Sequence, residues 1–247
     1  MAVQRIELFG VPVDIIPPQD MENTVMSMIE DGGYRQIVFL TIWDLLRACK
    51  KDSYAECLRH ADLVIPLSKS ILRGAKFLKK QVPVRYNPFK ATISFLSILE
   101  RHYKSLYILG GRKKSLMAAE ANLRSTFKNL HIVGRYVGYY PKSVEGDVVQ
   151  AIYKASPSMV LVSEGIKEKD RWSYTRRKSF AASIFLYYHD AVGIFSERIT
   201  RVKDSIFDRG LEIWSELVHN PLKLFLIFPY MGYIIKLIWY RLFKKEK

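Results

Sequence analysis

Gly110 and Gly111 are the first residues whose placement suggests chemistry, because Arg112-Lys113-Lys114-Ser115 follows them and opens a segment of helical period. Two glycines let backbone amides approach a phosphate, and the start of a helix adds positive potential there. The run is neither a Walker sequence nor the three-glycine dinucleotide fingerprint, and a plain strand-to-helix turn is the commoner meaning of Gly-Gly. Three acids, Glu164, Asp170 and Asp190, fall near the ends of predicted strands. Each is conceivable as a general base, and each also reads as an ordinary loop acid. His189 beside Asp190 is more simply a local pair than a catalytic one. The other histidines enter no Ser/His/Asp or metal-binding pattern, and Cys49 and Cys57 have no nearby His/Cys cluster. No metal and no cofactor is expected, and the two cysteines read as packing residues of a reducing compartment.

The basic residues call for a polyanionic partner. Thirty-nine Lys and Arg against 24 Asp and Glu give a net charge of +15 over 247 residues. Nucleic acid, a nucleotide-sugar diphosphate and an anionic membrane all fit such an excess. Its position discriminates between them. One basic cluster, Lys167, Lys169, Arg171, Arg176, Arg177 and Lys178, is diluted by Glu168 and Asp170. The other is Lys223, Lys236, Arg241, Lys244, Lys245 and Lys247, and it shares its segment with Leu224-Phe225-Leu226-Ile227-Phe228 and Leu237-Ile238-Trp239-Tyr240. The strongest basic stretch is thus the most apolar one, which favours lipid, and no nucleic-acid recognition motif accompanies it.

Between Lys223 and Lys236 the apolar run is shorter than the ~20 residues a spanning helix needs, and Pro229 and Gly232 interrupt it. Lys236 and Arg241 can snorkel, and Trp239 with Tyr230, Tyr233 and Tyr240 suits the headgroup zone. Residues 221–247 are therefore expected to form a membrane-associating tail on an anionic bilayer, with Lys223, Lys236, Trp239, Arg241, Lys244 and Lys245 at the lipid surface. The alternatives are a helix packed on the body or on a sister subunit of a homo-oligomer, and, less favoured, a hairpin through the bilayer broken at Pro229-Tyr230-Met231-Gly232. The opening segment, with Glu7 and no long apolar run, carries no secretory signal pattern.

Positioning these residues falls to residues 1–220. Short apolar runs without polar alternation predict strands buried on both faces at 37–40, 63–65, 106–109, 131–133, 159–162 and 184–187. Helix-period segments lie between them; Leu116, Ala119, Leu123 and Phe127 share one face, and Ile93, Leu96 and Glu100 mark another. This alternation predicts one α/β domain, a mostly parallel sheet flanked by helices in the Rossmann-like manner, with a small hairpin over residues 6–15 at its edge. Ligands of such sheets bind beyond the carboxyl ends of the strands.

The ordered set Ala61-Asp62-Leu63-Val64-Ile65-Pro66, Tyr107-Ile108-Leu109-Gly110-Gly111 and Gly138-Tyr139-Tyr140, then Gly210-Leu211-Glu212-Ile213-Trp214 and Asn220-Pro221, resembles the WecG/TagA/CpsF glycosyltransferases, glycosyltransferase family 26. The similarity runs from about Val11 to Pro221. It implies inverting transfer of an N-acetylhexosamine-type sugar from a UDP donor to a polyprenyl-pyrophosphate-linked acceptor. The setting implied is the cytoplasmic face of the cell membrane, in cell-envelope polysaccharide synthesis, with a C-terminal appendage docking on the membrane.

Several motif positions depart from the family. Leu67-Ser68 stands where the family has Asp-Gly, so the position of its usual base holds leucine. The Thr-x-Asn motif becomes Thr41-Ile42-Trp43, the Arg-containing segment reads Arg85-Tyr86-Asn87-Pro88-Phe89-Lys90, and the Gly-x-Gly-x-Pro-x-Gln-Glu loop reads from Ser163 to Asp170. A glycine-rich strand end with Phe-Asp beyond it is replaced by His189-Asp190-Ala191-Val192-Gly193-Ile194. The resemblance marks Thr41, Arg85, Gly110, Gly111, Gly165 and Lys169 as substrate-binding candidates. Arg85 has the geometry to hold a pyrophosphate bidentately, and Lys167 and Lys169 beside Gly165 could place charge on it. Their plain readings are a surface arginine, a strand-end cap at Thr41 and a solvated loop; Tyr139 and Tyr140 read as packing. Glu164 is the first substitute for the base, and the alternative to an active transferase is a catalytically silent relative acting as a binding or scaffolding subunit.

Overall fold

The computed structural model describes residues 3–50, 52–201, 204–210, 225 and 227–243. Strands β1 (Gln4–Leu8) and β2 (Val11–Ile15) pair as an antiparallel hairpin, turned by Phe9 and Gly10, both at positive φ. Helix α1 (Met21–Glu30) leads to β3 (Tyr34–Leu40), α2 (Ile42–Ala48), α3 (Ser53–His60), β4 (Leu63–Pro66), α4 (Lys69–Phe77) and α5 (Pro88–Arg101). Then come β5 (Ser105–Leu109), α6 (Lys113–Thr126), β6 (His131–Tyr136), α7 (Glu145–Ala155), β7 (Met159–Val162) and α8 (Asp170–Thr175). Strand β8 (Ser183–Tyr187), α9 (Ala191–Phe195), α10 (Asp204–Arg209) and α11 (Ile227–Phe243) complete the described elements.

The six strands β4-β3-β8-β7-β5-β6 form one wholly parallel sheet. The expected Rossmann-like frame, with its N-terminal hairpin, is therefore present. Alternate residues of each strand feed opposite layers, as the pleat dictates. Ile37, Phe39, Leu63, Ile65, Ile108 and Leu161 meet α1, α5, α6 and α9 on one face. On the other, Val38, Leu40 and Val64 meet the hairpin, α2, α3, α4 and α11, while Leu109, Val160 and Val162 meet α7 and α8. Each fully buried leucine or isoleucine contributes about 1.5–3 kcal/mol, which is why runs without polar alternation hold the central strands.

The predicted stripe of α6 is buried as expected at Leu116, Ala119, Leu123 and Phe127. In α5 the buried stripe is Ala91, Phe95, Ile98 and Leu99 with Leu96, so the expected face of Ile93, Leu96 and Glu100 lies at its flank. The hairpin seals the β4 edge through Asp14. Its carboxylate takes both Arg5 nitrogens at 2.7 and 2.9 Å and accepts the Val64 amide at 2.6 Å, satisfying a donor that an edge strand would leave open.

The tail divides between what is described and what is not. Lys223, Lys244 and Lys245 lie outside the described residues, as do Leu211–Trp214 and Asn220-Pro221. Helix α11 rests on the body, with Tyr233 and Leu237 buried and the Tyr233 hydroxyl donating to the Ser70 carbonyl at 2.7 Å. The packed-helix alternative thus describes one of its faces. Its outer face leaves Phe228, Met231, Ile235, Trp239 and Leu242 exposed. Among the described residues no helix is long and apolar enough to cross a membrane, and α11 runs unbroken through Pro229-Tyr230-Met231-Gly232, where the hairpin alternative placed a break.

Candidate active site

Beyond the carboxyl ends of β3, β4 and β8 lies a cleft of about 180 Å³. Its walls come from Thr41, Leu67 and Ser68, Tyr188 and Asp190, the start of α5 at Asn87–Phe89, and two residues from the following segment, Arg201 and Phe207. Each wall is fixed locally. Thr41 caps α2 in a capping box: its hydroxyl accepts the Asp44 amide at 3.2 Å and donates to Asp44 Oδ2 at 2.5 Å. Asn87 caps α5 by accepting the Phe89 and Lys90 amides, with Pro88 at the first helical position. Buried Ser68 accepts the Ile42 amide at 3.0 Å and so ties the end of β4 to the start of α2.

Arg85 adjoins this cleft, but its guanidinium faces protein. Nε donates to the Leu67 carbonyl at 2.5 Å, Nη1 donates to the Phe207 carbonyl at 2.7 Å, and the cation stands 3.6 Å from the centre of the Phe207 ring. It therefore clamps α10 against the loop after β4. Arg201 lies over the Phe89 ring at 5.5 Å, and Lys90 pairs with Asp204 at 3.2 Å, so the segment after α9 is held across the mouth by cations.

The neighbouring strand ends form a knot of glycines. Gly110 (φ +143°) and Gly165 (φ +93°) adopt backbone that only glycine tolerates well, and the backbones are in contact. A Cβ on Gly110 would lie 2.9 Å from the Ser163 backbone, and one on Gly165 would lie 2.7 Å from Gly138. The amides are already committed: Gly110 donates to Tyr136, Gly111 to Glu164 and Gly138 to Gly111. The Gly110-Gly111 amides thus hold three strand ends together, the tight-turn meaning of the pair. Ser163 joins this knot to the cleft, donating to the His189 carbonyl at 2.7 Å and accepting the Val192 amide at 3.1 Å.

The acids separate by environment. Glu164 is 8% exposed and its carboxylate is paired with Arg198. Asp170 is buried at the start of α8, its Oδ1 has no hydrogen-bond partner among the described residues, and burial pushes its carboxyl up to about 8. Asp190 is half exposed on the cleft wall, and its carboxylate makes no helix-capping bond to α9. Lys167 and Lys169 are exposed on the α8 side, with Lys169 at φ +52°, away from the cleft walls. Of the basic cluster that follows, Arg176 is spent on Glu145 and Glu168, and Arg177 stacks on Tyr174.

The structure therefore brings Thr41, Leu67, Arg85 and Asp190 to one cleft and Gly110, Gly111 and Gly165 to an adjoining knot, with Lys169 outside both. Arg198, Arg201 and Phe207 escaped the reading of the sequence. They come from a segment without strand or helix periodicity, and only its arginines offered a signal. Groups of acids, histidines and cysteines able to hold a metal are absent among the described residues.

No curated protein sequence matches this chain. The model of the WecG/TagA/CpsF glycosyl transferase family matches residues 6–247, from the hairpin through the parallel sheet and beyond it to α11. With nearly the whole chain inside that match, and the cleft at the strand ends where an open parallel sheet binds its ligands, the chain belongs to the WecG/TagA/CpsF glycosyltransferase family.

Proposed function

We propose that the chain transfers an N-acetylhexosamine-type sugar, with inversion, from a UDP donor to a polyprenyl-pyrophosphate-linked acceptor, in building cell-envelope polysaccharide at the cytoplasmic face of the cell membrane. The observation that carries this reading is the cleft beyond β3, β4 and β8, lined by Thr41, Asn87, Asp190 and Arg201, in a member of a glycosyltransferase family. Transfer needs positive charge or donors on the leaving diphosphate and a base near the acceptor hydroxyl. Arg201 at the cleft wall supplies the charge, Arg85 behind it holds α10 to the loop after β4, and Thr41, its hydroxyl held by Asp44, shapes the wall. Gly110, Gly111 and Gly165 shape the ledge beside the cleft. The exposed apolar face of α11, flanked by Lys236 and Arg241, supports residence at an anionic lipid surface.

A specific observation favours a second reading, a silent relative that binds or scaffolds. Leu67 presents an apolar side chain to the cleft, Arg85 is tied to protein, and about 180 Å³ is below the roughly 300–1,000 Å³ of ordinary ligand sites. On the transferase reading, α10 must move outward when the donor enters. Calorimetric titration of the full chain with UDP and with a panel of UDP-N-acetylhexosamines, followed by UDP release in the presence of a polyprenyl-pyrophosphate-linked acceptor, separates the two. Binding with acceptor-dependent turnover is expected; binding without turnover across the panel establishes the silent relative.

A further inference from the structure

Moving a sugar onto a hydroxyl requires that the hydroxyl proton go somewhere as the new bond forms. Among the described residues, Asp44, Glu164, Asp170 and Asp190 follow the strand ends nearest the cleft and the knot, and the first three are unavailable. Asp44 carries the Thr41 hydroxyl at 2.5 Å, Glu164 is paired with Arg198, and Asp170 is enclosed where a substrate hydroxyl cannot reach it. Asp190 differs in each respect. Its side chain is 47% exposed, it lines the cleft beside Thr41 and Leu67, and no hydrogen bond holds its carboxylate among the described residues. The His189 ring nitrogen Nε2 stands 4.0 Å from its Oδ1. The backbone beneath it is fixed all the same. The His189 carbonyl accepts from Ser163 Oγ and from the Glu164 amide, and the Ile194 amide donates to the Asp190 carbonyl at 2.8 Å. A carboxylate on a fixed stretch of backbone, with its oxygens free of hydrogen bonds among the described residues, at the wall of a cleft, can take up a proton from a bound hydroxyl.

We infer that Asp190 is the acceptor-activating base of this protein, filling from the end of β8 the role that Leu67, at the end of β4, cannot perform. The inference rests on the transferase reading of the same cleft. In the step, an Asp190 oxygen takes the proton of the acceptor hydroxyl. The freed oxygen pair attacks the anomeric carbon from the side opposite the diphosphate, and the bond from that carbon to the β-phosphate oxygen breaks. UDP leaves with the electron pair, the anomeric configuration inverts, and Asp190 returns its proton to water. Arg201, which also lines the cleft, supplies a cation for the charge that develops on the leaving oxygen.

The test uses the full chain, the UDP-N-acetylhexosamine panel and the lipid-linked acceptor. Asp190→Asn preserves shape and is expected to lower kcat by about 10²–10⁴-fold. UDP affinity measured by calorimetry and the donor KM should stay within about threefold, which shows that the cleft is still folded. Leu67→Asp added to Asp190→Asn restores a carboxylate to the same cleft from a different strand, and a recovery of kcat by about tenfold or more is expected; repair of a merely structural defect would not follow from that change. Turnover by Asp190→Asn within threefold of the unaltered chain overturns the inference and leaves the transferase reading standing. An unaltered chain that binds UDP, stays silent across the panel and gains turnover on Leu67→Asp alone overturns both.

Discussion

Asp170 shows how far a single residue's surroundings can outweigh its type. Its carboxyl opens α8 beneath the strand ends, where the Gln36 side chain donates to its backbone carbonyl at 2.9 Å while Oδ1 finds no partner among the described residues. Desolvation, with Asp44 adding a like charge, raises the folded-state pKa from 3.8 to about 8, so near neutrality the folded protein keeps a proton that the unfolded chain has released. The native state binds the extra proton between those two values, so stability falls as pH rises from about 4 to about 8, and the contribution of the neutral carboxyl is gone above that window. Asp170→Asn fixes the neutral shape. Urea unfolding at pH 5, 7 and 9 is expected to show the variant gaining on the unaltered chain with each step and exceeding it at pH 9. An unchanged difference across the three values would show that the carboxyl is ionised in the fold. Only the position of Asp170 near a strand end was legible in the sequence. Its burial involves Tyr34 and Gln36 of β3 and Tyr54 of α3, brought from two other elements, which no local pattern announces.

At the scale of elements, strands were more legible than helix faces, and the reason is physical. A central parallel strand is apolar along the run that both layers cover, so a four-residue run such as Met159–Val162 declares itself. A helix declares a face only through spacing, and α5 carries apolar residues around more than half its girth, which shifted the expected stripe. The docking of α11 on α4 is a contact of this less legible kind. Gly74 lies mid-helix in α4, where a Cβ would come within 2.1 Å of the Tyr233 hydroxyl and 3.4 Å of a Leu237 methyl. Alanine at an exposed helical position would stabilise by ~1 kcal/mol over glycine. Here the aromatic ring that it strikes is itself buried and bonded to Ser70, so the gain is overridden. Gly74→Ala is expected to loosen α11 while the parallel sheet stays intact. Limited proteolysis should cut within residues 227–243 at a rate raised about tenfold or more, with the far-ultraviolet signal of the body unchanged. Equal cleavage of the two proteins would mean that α4 accepts the methyl by a shift and that the close approach is not what fixes the helix.

For the molecule as a whole, α11 is the element whose composition exceeds what the body can use. Tyr230, Tyr233, Leu237 and Tyr240 form a stripe turned inward, the first two near Ser70 and the last against Phe9. Phe228, Met231, Ile235, Trp239 and Leu242 form a second stripe at the same helical spacing, 73, 57, 64, 53 and 67% exposed. A helix apolar on both sides asks for a second apolar phase, while Lys236 and Arg241 are turned to the body, over the Phe9 ring at 5.0 Å and the Phe77 ring at 4.5 Å. Near its start the same helix touches α4, where Tyr230 lies 3.3 Å from Ser70, two residues along the chain from the cleft residue Ser68. On the proposed function, the outer stripe is the surface along which a lipid-linked acceptor would approach the body. Removing the whole tail would also strip Tyr233 and Leu237 from α4, so the informative change is confined to the outer stripe: Ile235→Ser with Trp239→Ser. Each buried apolar side chain of this size contributes about 1.5–3 kcal/mol, so the double variant should lose at least about tenfold in partitioning to vesicles with an anionic lipid fraction, measured by sedimentation. UDP affinity should be unchanged and use of the lipid-linked acceptor should fall in parallel with sedimentation. Vesicle binding that survives the double change would move the contact with lipid away from α11, and acceptor use that survives its loss would separate membrane residence from delivery to the cleft.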